Sequence, residues 1–293
     1  MLAAVSLYRL ADLPPLTAPI LVAAFDGWID AAGASSAAVD HLSAGGEPAA
    51  TFAGDLLYDY RARRPVLDIV DGTLTDISWP ELSLRRTRLG DRDLLVLSGP
   101  EPDYRWRELA GAVAEIAVRL EVAQWVSLGA IPAAVPHTRP VPILATASRP
   151  GLLPSDMQQG PQGLLRVPSA ALSVLELTTT GSGVPAIGLY AQVPHYVGGA
   201  YPAATVALLE HLERSLGLPV PLGQLPEAAA TQRATLDEAV AADEDAASYL
   251  ARLENLLGDE RIPSGEEIAS EIERFLRESG PGSAPGQTSF DQP

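Results

Sequence analysis

Pro19-Ile20-Leu21-Val22-Ala23-Ala24-Phe25 is a nearly unbroken apolar run, followed directly by Asp26-Gly27-Trp28-Ile29-Asp30. A strand with one wet face alternates apolar and polar residues, whereas a strand covered on both faces by helices reads as a continuous apolar run. The run therefore predicts a central strand of a parallel or mixed sheet, and the small-residue stretch 31–42 behind it predicts a closely packed helix. Further short strands are expected at 50–52, 56–60 and 66–70. Segments 82–88 and 91–98 pattern as a hairpin turning at Gly90-Asp91. Trp106, Leu109, Ala110, Val113, Ala117 and Leu120 recur at helical spacing, with Asp103 placed as an N-cap. Strands at 124–128 and 141–147 flank a Gly- and Pro-rich loop; a helix at 169–177, a strand at 185–193 and a helix at 203–216 ending at Gly217 follow. Strands separated by helices require crossover connections, so the fold class is α/β, with helices on both faces of a mostly parallel or mixed sheet.

The composition changes beyond Pro219. Pro219, Pro221, Gly223 and Pro226 read as a linker, and residues 227–278 hold fourteen Asp and Glu against five Arg, a net charge of −9 within a total of −17. Leu236, Val240, Ala247, Leu250, Leu253 and Leu257 predict one long, weakly amphipathic helix with Asp243, Glu244 and Asp245 in water. Ser264 and Glu267 form a capping box for a second helix striped by Ile268, Ile272, Phe275 and Leu276. A helix with a single apolar stripe must dock on something, either the α/β body or another subunit. The expected organisation is an α/β domain over 1–222, an acidic helical extension over 223–279 and a Gly/Pro/Ser/Gln-rich tail, read as disordered, over 280–293.

Of the 293 residues, 47% are apolar, which provides for a large core. The strongly acidic balance argues against nucleic-acid binding, which depends on basic side chains that displace counterions from phosphates. The chain contains no cysteine, so disulfides, thiolate metal sites and Cys nucleophiles are excluded. All twenty basic side chains are Arg, which excludes a Walker A lysine, a Schiff-base lysine and a Ser-Lys dyad. Arg in place of Lys, with abundant Ala, Gly and Pro, fits a high-GC bacterial genome. The opening residues lack a basic start and a long apolar core, and no apolar run approaches the ~18 residues of a membrane span. The expected location is the cytoplasm.

Three loops after predicted strands concentrate chemistry, and ligands of open α/β sheets bind at such strand ends. Asp26, Gly27, Trp28 and Asp30 follow the first strand. They read either as a ligand site with a carboxylate acid or base, or as a helix cap (Asp30) with a packing wedge (Trp28). His137, Thr138 and Arg139 lie in a Pro-bounded loop after the 124–128 strand and suit a phosphate or carboxylate, or equally a backbone carbonyl and an acidic residue of a neighbouring subunit. His195 and Tyr196 follow the 185–193 strand. Tyr60-Arg61-Ala62-Arg63-Arg64-Pro65 is a basic patch suited to pairing with carboxylates. His41 and His211 fall on helices and read as structural. No dinucleotide fingerprint, Walker A, zincin or nucleophile-elbow motif is present. No metal or cofactor is expected, and no catalytic residue is assigned.

Taken in order, Phe25-x-Gly27-Trp28-x-Asp30-Ala31, Leu128-Gly129-Ala130-Ile131-Pro132 with Pro136-His137-Thr138-Arg139-Pro140, Val193-Pro194-His195-Tyr196 with Tyr201-Pro202-Ala203-Ala204, and Ser264-Gly265-Glu266-Glu267-Ile268 resemble the proteasome assembly chaperone 2 family, in particular its actinobacterial branch. The resemblance spans roughly residues 15–278. It implies a three-layer α/β sandwich like that of nucleoside phosphorylases, and self-association with a trimer among the expected forms; it implies no activity. Chaperones of this kind can dock on proteasome rings through a C-terminal hydrophobic-Tyr-any tripeptide, and this sequence ends Asp291-Gln292-Pro293, so that device is not expected. The leading reading is a non-enzymatic, homo-oligomeric assembly or scaffolding protein. The alternatives are an enzyme or sensor for a small anionic or nucleoside-like ligand at the strand ends.

Overall fold

The computed structural model of the chain describes residues 6–157, 159–161 and 163–256. The Ser264–Glu267 capping box and its helix, Leu257 and the tail lie outside the described residues. In chain order the elements begin with β1 (Tyr8–Leu10), β2 (Ile20–Asp26), α1 (Ala34–Ser43), β3 (Glu47–Phe52) and a single turn, α2 (Gly54–Leu57). The hairpin β4 (Val66–Val70) and β5 (Thr73–Ser78) comes next, then β6 (Ser83–Leu89), β7 (Arg92–Pro100) and α3 (Trp106–Arg119). The chain continues through β8 (Gln124–Ala133), β9 (Ile143–Ala147), α4 (Ala171–Gly181), β10 (Ala186–Pro194) and α5 (Pro202–Leu216), and ends in α6 (Leu225–Ala241) and α7 (Glu244–Leu256).

Eight strands form one mixed sheet in the order β1-β3-β6-β7-β2-β8-β10-β9. Its centre, β7, β2, β8 and β10, is parallel, and the remaining neighbours pair antiparallel. The apolar run of β2 lies at the centre because both of its faces are covered. Ile20, Val22 and Ala24 pack into a core with α1 and α5, while Leu21, Ala23 and Phe25 pack into a second core with α3 and α4. The side chains of these two cores are essentially removed from water, each large aliphatic one contributing about 1.5–3 kcal/mol of transfer free energy. The result is an α/β/α sandwich. No described helix is long and apolar enough to cross a membrane.

Three sequence expectations are corrected here. Residues 56–60 do not form a strand: the Tyr58 N–H donates to the Gly54 carbonyl at 2.9 Å and closes the turn α2, which buries the consecutive Leu57 and Tyr58. Asp103 does not cap α3. Arg105 holds the cap position at φ 59°, and the Asp103 carboxylate instead accepts the Asp59 N–H at 2.8 Å. The single acidic helix is two. Beyond Ala241 the chain breaks, and Asp243 Oδ1 accepts the N–H groups of Asp245 and Ala246 at 2.9 and 3.1 Å, an N-cap that starts α7. Asp243, Glu244 and Asp245 are exposed, as expected.

A polar chain runs through the α4-side core. Trp125 Nε1 donates to Ser127 Oγ at 2.7 Å, and the Ser127 hydroxyl donates to the Glu176 carboxyl at 2.5 Å. Burial raises the Glu176 carboxyl above its ordinary range, against the lowering effect of the Ser127 hydrogen bond. The fold therefore favours the protonated acid. Its contribution to stability is complete below the ordinary glutamate pKa and is lost as pH rises through the raised value. Glu176→Gln keeps an amide where the protonated acid sits. We expect it to raise the thermal midpoint at neutral pH and to flatten the decline in stability that sets in as pH rises above the ordinary glutamate range. Parallel stability–pH profiles for the two proteins would contradict this account.

Candidate functional site at the carboxyl ends of the parallel strands

Because β7, β2, β8 and β10 run parallel side by side, their carboxyl ends share one rim of the sheet. The candidates that follow β2, β8 and β10 sit at this rim, Asp26 as the last residue of β2 and the others in the loops beyond.

On the β2 side, Asp30 is buried and fully engaged. Its Oδ1 accepts the Ser35 N–H at 2.7 Å, the Ser35 hydroxyl at 2.6 Å and the Ser36 N–H at 3.2 Å, and its Oδ2 accepts the Ser36 hydroxyl at 2.5 Å. These donors belong to the first turn of α1, whose formal cap, Gly33, has no side chain to offer. The Ala130 N–H donates to the Ile29 carbonyl at 2.7 Å, which stitches the loop onto β8. Gly27 is required by close approach: a Cβ there would lie 2.5 Å from the Glu101 Cβ. Glu101, just past the end of β7, bridges two elements. One carboxylate oxygen accepts the Trp28 N–H at 3.0 Å, and the other accepts the Ala171 N–H at 2.7 Å, where the positive end of α4 favours a carboxylate. Trp28 is 44% exposed. Asp26 is exposed and lies 3.9 Å from Arg63, which is also 3.9 Å from Asp103. One arginine of the basic stretch thus serves carboxylates within the chain, while Arg61 and Arg64 are exposed.

On the β8 and β10 side, the candidates meet the C-terminal helices. The Tyr196 hydroxyl accepts the His137 backbone N–H at 2.7 Å and lies 2.8 Å from His137 Nδ1. Since that hydroxyl has one proton to give, it donates to Nδ1, and His137 Nε2–H donates across 3.1 Å to Asp237 of α6. The His137 side chain is completely buried. His195 Nδ1 lies 3.1 Å from the Ala133 carbonyl, which can only accept, so in the neutral ring Nε2 is the acceptor for the Tyr249 hydroxyl of α7 at 3.0 Å. The Thr138 hydroxyl donates to Glu254 of α7. Asp237 also receives Arg233 at 3.1 Å. Burial alone would raise its carboxyl, but the hydrogen bonds from His137 and Arg233 and the Arg233 charge hold it below the ordinary range. Tyr196 is pushed up, chiefly by burial. Arg139 is exposed and forms no ion pair among the described residues.

The rim therefore brings His137, Thr138, His195 and Tyr196 together under α6 and α7, whereas Asp30 and Gly27 serve the α1 turn and the Glu101 bridge. Glu101, Asp237, Tyr249 and Glu254 were not singled out from the sequence. Glu101 was accessible to the same strand-end logic that picked Asp26. The other three had no local signal, because their partners lie 54 to 116 residues away. No group of three or more His, Asp or Glu among the described residues is placed to hold a metal. A cleft of about 490 Å³ lies at the foot of the β4–β5 hairpin, with Phe52, Asp55, Tyr60 and Trp79 among its walls.

An α/β/α sandwich whose strand-end polar groups hold its own C-terminal helices is the class these observations define. The PAC2 family matches residues 24–240, and the chain belongs to that family. It is similar to the Mycobacterium tuberculosis protein of unknown function Rv2714 at 38% identity, with 92% of this chain and 96% of that chain covered and a TM-score of 0.82. A PAC2 family protein from Streptomyces avermitilis is also 38% identical, over 79% of this chain and 99% of its own, with a TM-score of 0.71. The M. tuberculosis proteasome-assembly chaperone homologue Rv2125 is 35% identical over 79% of this chain and 99% of its own, with a TM-score of 0.72. No curated protein matches the sequence.

Proposed function

We propose that this protein works by binding protein chains, other copies of itself and a client whose assembly it assists, without turning over a substrate. The observation that carries the reading is the use of the rim. His137, Thr138, His195 and Tyr196 are the polar groups best suited to catalysis on this fold, and they are spent on Asp237, Glu254 and Tyr249. The similarity to a proteasome-assembly chaperone homologue points the same way. In this reading, residues 1–222 are a body and 223–279 an acidic helical surface held against it, followed by the 280–293 tail. The body self-associates, with a trimer as one form, and the acidic helices offer a client a charged face.

The test pairs two assays on the full-length protein. Crosslinked pull-down from a lysate of the source organism should recover a specific protein above control beads, and thermal shift against a panel of nucleosides, phosphates and carboxylates should show no midpoint rise. No specific protein, together with a metabolite that raises the midpoint by several degrees, would replace this reading with a small-ligand site served by the exposed Arg139.

A further inference from the structure

The cleft of about 490 Å³ joins two pieces of chain that lie apart in sequence. The turn α2 follows β3 and supplies Asp55, with Tyr60 five residues on; Trp79, Pro80 and Glu81 connect β5 to β6. The Tyr60 and Trp79 rings stand 4.7 Å apart at 65°, an edge-to-face pair, so they form a corner with open ring surface instead of a closed stack. Trp79 is 53% exposed although it belongs to this wall. Pro80 disfavours helical backbone at Trp79 and so helps to hold the connection extended. Gly54 lets the walls approach: a Cβ there would lie 3.3 Å from the Tyr60 hydroxyl and 3.4 Å from the Pro80 carbonyl.

Two carboxylates line this aromatic corner, and neither forms an ion pair among the described residues. The Tyr60 hydroxyl donates to Asp55 Oδ1 at 2.6 Å, which leaves Oδ2 for another donor. That hydrogen bond, loss of water and the Asp55 charge push the Tyr60 hydroxyl up to about 12, so at neutral pH the ring is uncharged. Glu81 is exposed. Of the nearby arginines, Arg63 is taken by Asp26 and Asp103, 3.9 Å from each, and Arg61 and Arg64 are exposed. A guanidinium suits this combination. It stacks on aromatic faces, presents N–H donors in its plane to carboxylates, and is less strongly hydrated than an ammonium. We propose that the cleft binds a guanidinium on a short aliphatic stem, with the planar group at the Tyr60–Trp79 corner and its N–H groups on Asp55 and Glu81. The stem lies against Phe52, Leu56 and Pro80. The volume falls within the ~300–1,000 Å³ usual for ligand sites and holds the group, its stem and a flanking residue. The same chemistry has two sources, a free organic cation or an arginine side chain of a protein, and the net charge of −17 draws either one. The site stands apart from the assembly role proposed above, whose failure would leave it intact.

Calorimetric titration of the full chain tests it with three probes. These are n-butylguanidinium, a capped Ala-Arg-Ala tripeptide, and the same tripeptide with citrulline, which keeps the shape of arginine and lacks its charge. Butylguanidinium should bind with a dissociation constant on the order of 1 mM, as a ligand of so few atoms allows. The citrulline peptide should not bind. Trp79→Ala should weaken butylguanidinium about tenfold, and Trp79→Phe, which keeps a ring, should recover most of that loss. Asp55→Asn and Glu81→Gln should each weaken it about threefold. All three side chains are exposed, so the melting curves of the variants should match the wild type. A tripeptide that binds more tightly than butylguanidinium assigns the cation to a protein chain; one that binds no more tightly assigns it to a free cation. No binding of either guanidinium probe, equal binding of the citrulline peptide, or an affinity unchanged in Trp79→Ala would each overturn the site.

Discussion

Trp125→Ala should lower the unfolding free energy by about 4 kcal/mol, as expected for truncation of a fully enclosed tryptophan. Trp125 lies on β8, has no exposed surface, and fills the core between the sheet and helices α3 and α4. Alanine there leaves a cavity that β8, paired on both sides by β2 and β10, cannot collapse to fill. It also removes the indole N–H that polarises Ser127 toward Glu176. Against a total stability of about 5–15 kcal/mol, the loss should lower the thermal midpoint by about 8–16 °C. Trp125→Phe keeps most of the volume and loses only the hydrogen bond, so it should cost about 1–2 kcal/mol. Urea unfolding of the three proteins checks both. Equal losses for the two variants would mean that the polar chain, and not the packing, carries the effect, and a loss below about 1 kcal/mol for alanine would sink the argument.

How much of this was legible in the sequence depends on whether the deciding partner is near or far along the chain. The β2 run announced its central place because burial on two faces leaves no alternation to read, and α3 announced itself through Trp106, Leu109, Val113 and Ala117 on one face. Gly217 ends α5 as expected, at φ 64°. The β4–β5 arm was legible only by half. Residues 66–70 pattern as a strand, while Asp71-Gly72 between alternating residues, the strongest short-range signal for a hairpin, predicts β5 as well. The break before α7 was also local, since Asp243 followed by Glu244 and Asp245 is as good a cap as it is an exposed patch. Other features were beyond reach. Arg105 takes the α3 cap position at positive φ because Asp103 is drawn to Asp59, a tertiary choice that overrides capping preference. At the rim, the sequence placed His137, Thr138, His195 and Tyr196 at strand ends, but a histidine after a strand looks the same whether it awaits a ligand or an aspartate one hundred residues on.

That long-range pairing makes His137→Ala the variant with the largest expected functional effect. The imidazole is enclosed, receives the Tyr196 hydroxyl on one nitrogen and gives its other N–H to Asp237. Alanine leaves a void, a Tyr196 hydroxyl with no ring to donate to, and Asp237 held only by Arg233; together these should cost about 2–4 kcal/mol. The cost should fall on one boundary. α5 and α6 share apolar contacts through Leu212, Leu225 and Leu236, and the Gln232 amide of α6 donates to the Ala200 carbonyl, but the rim side chains that hold α6 and α7 are His137, His195 and Thr138. Native-state hydrogen exchange should therefore show α6 and α7 losing two to three orders of magnitude of protection while β2 and β8 keep theirs, because local opening is governed by the contacts of the unit that opens. Proteolysis within 219–226 should accelerate in parallel. Asp237→Asn retains an acceptor for the His137 N–H and gives up only charge, so it should lose less than a tenth of that protection. If His137→Ala leaves α6 and α7 as protected as in the wild type, the rim residues do not hold the helices. Their burial would then need another purpose, and a small ligand at the strand ends would become the better account of why two histidines and a tyrosine converge there.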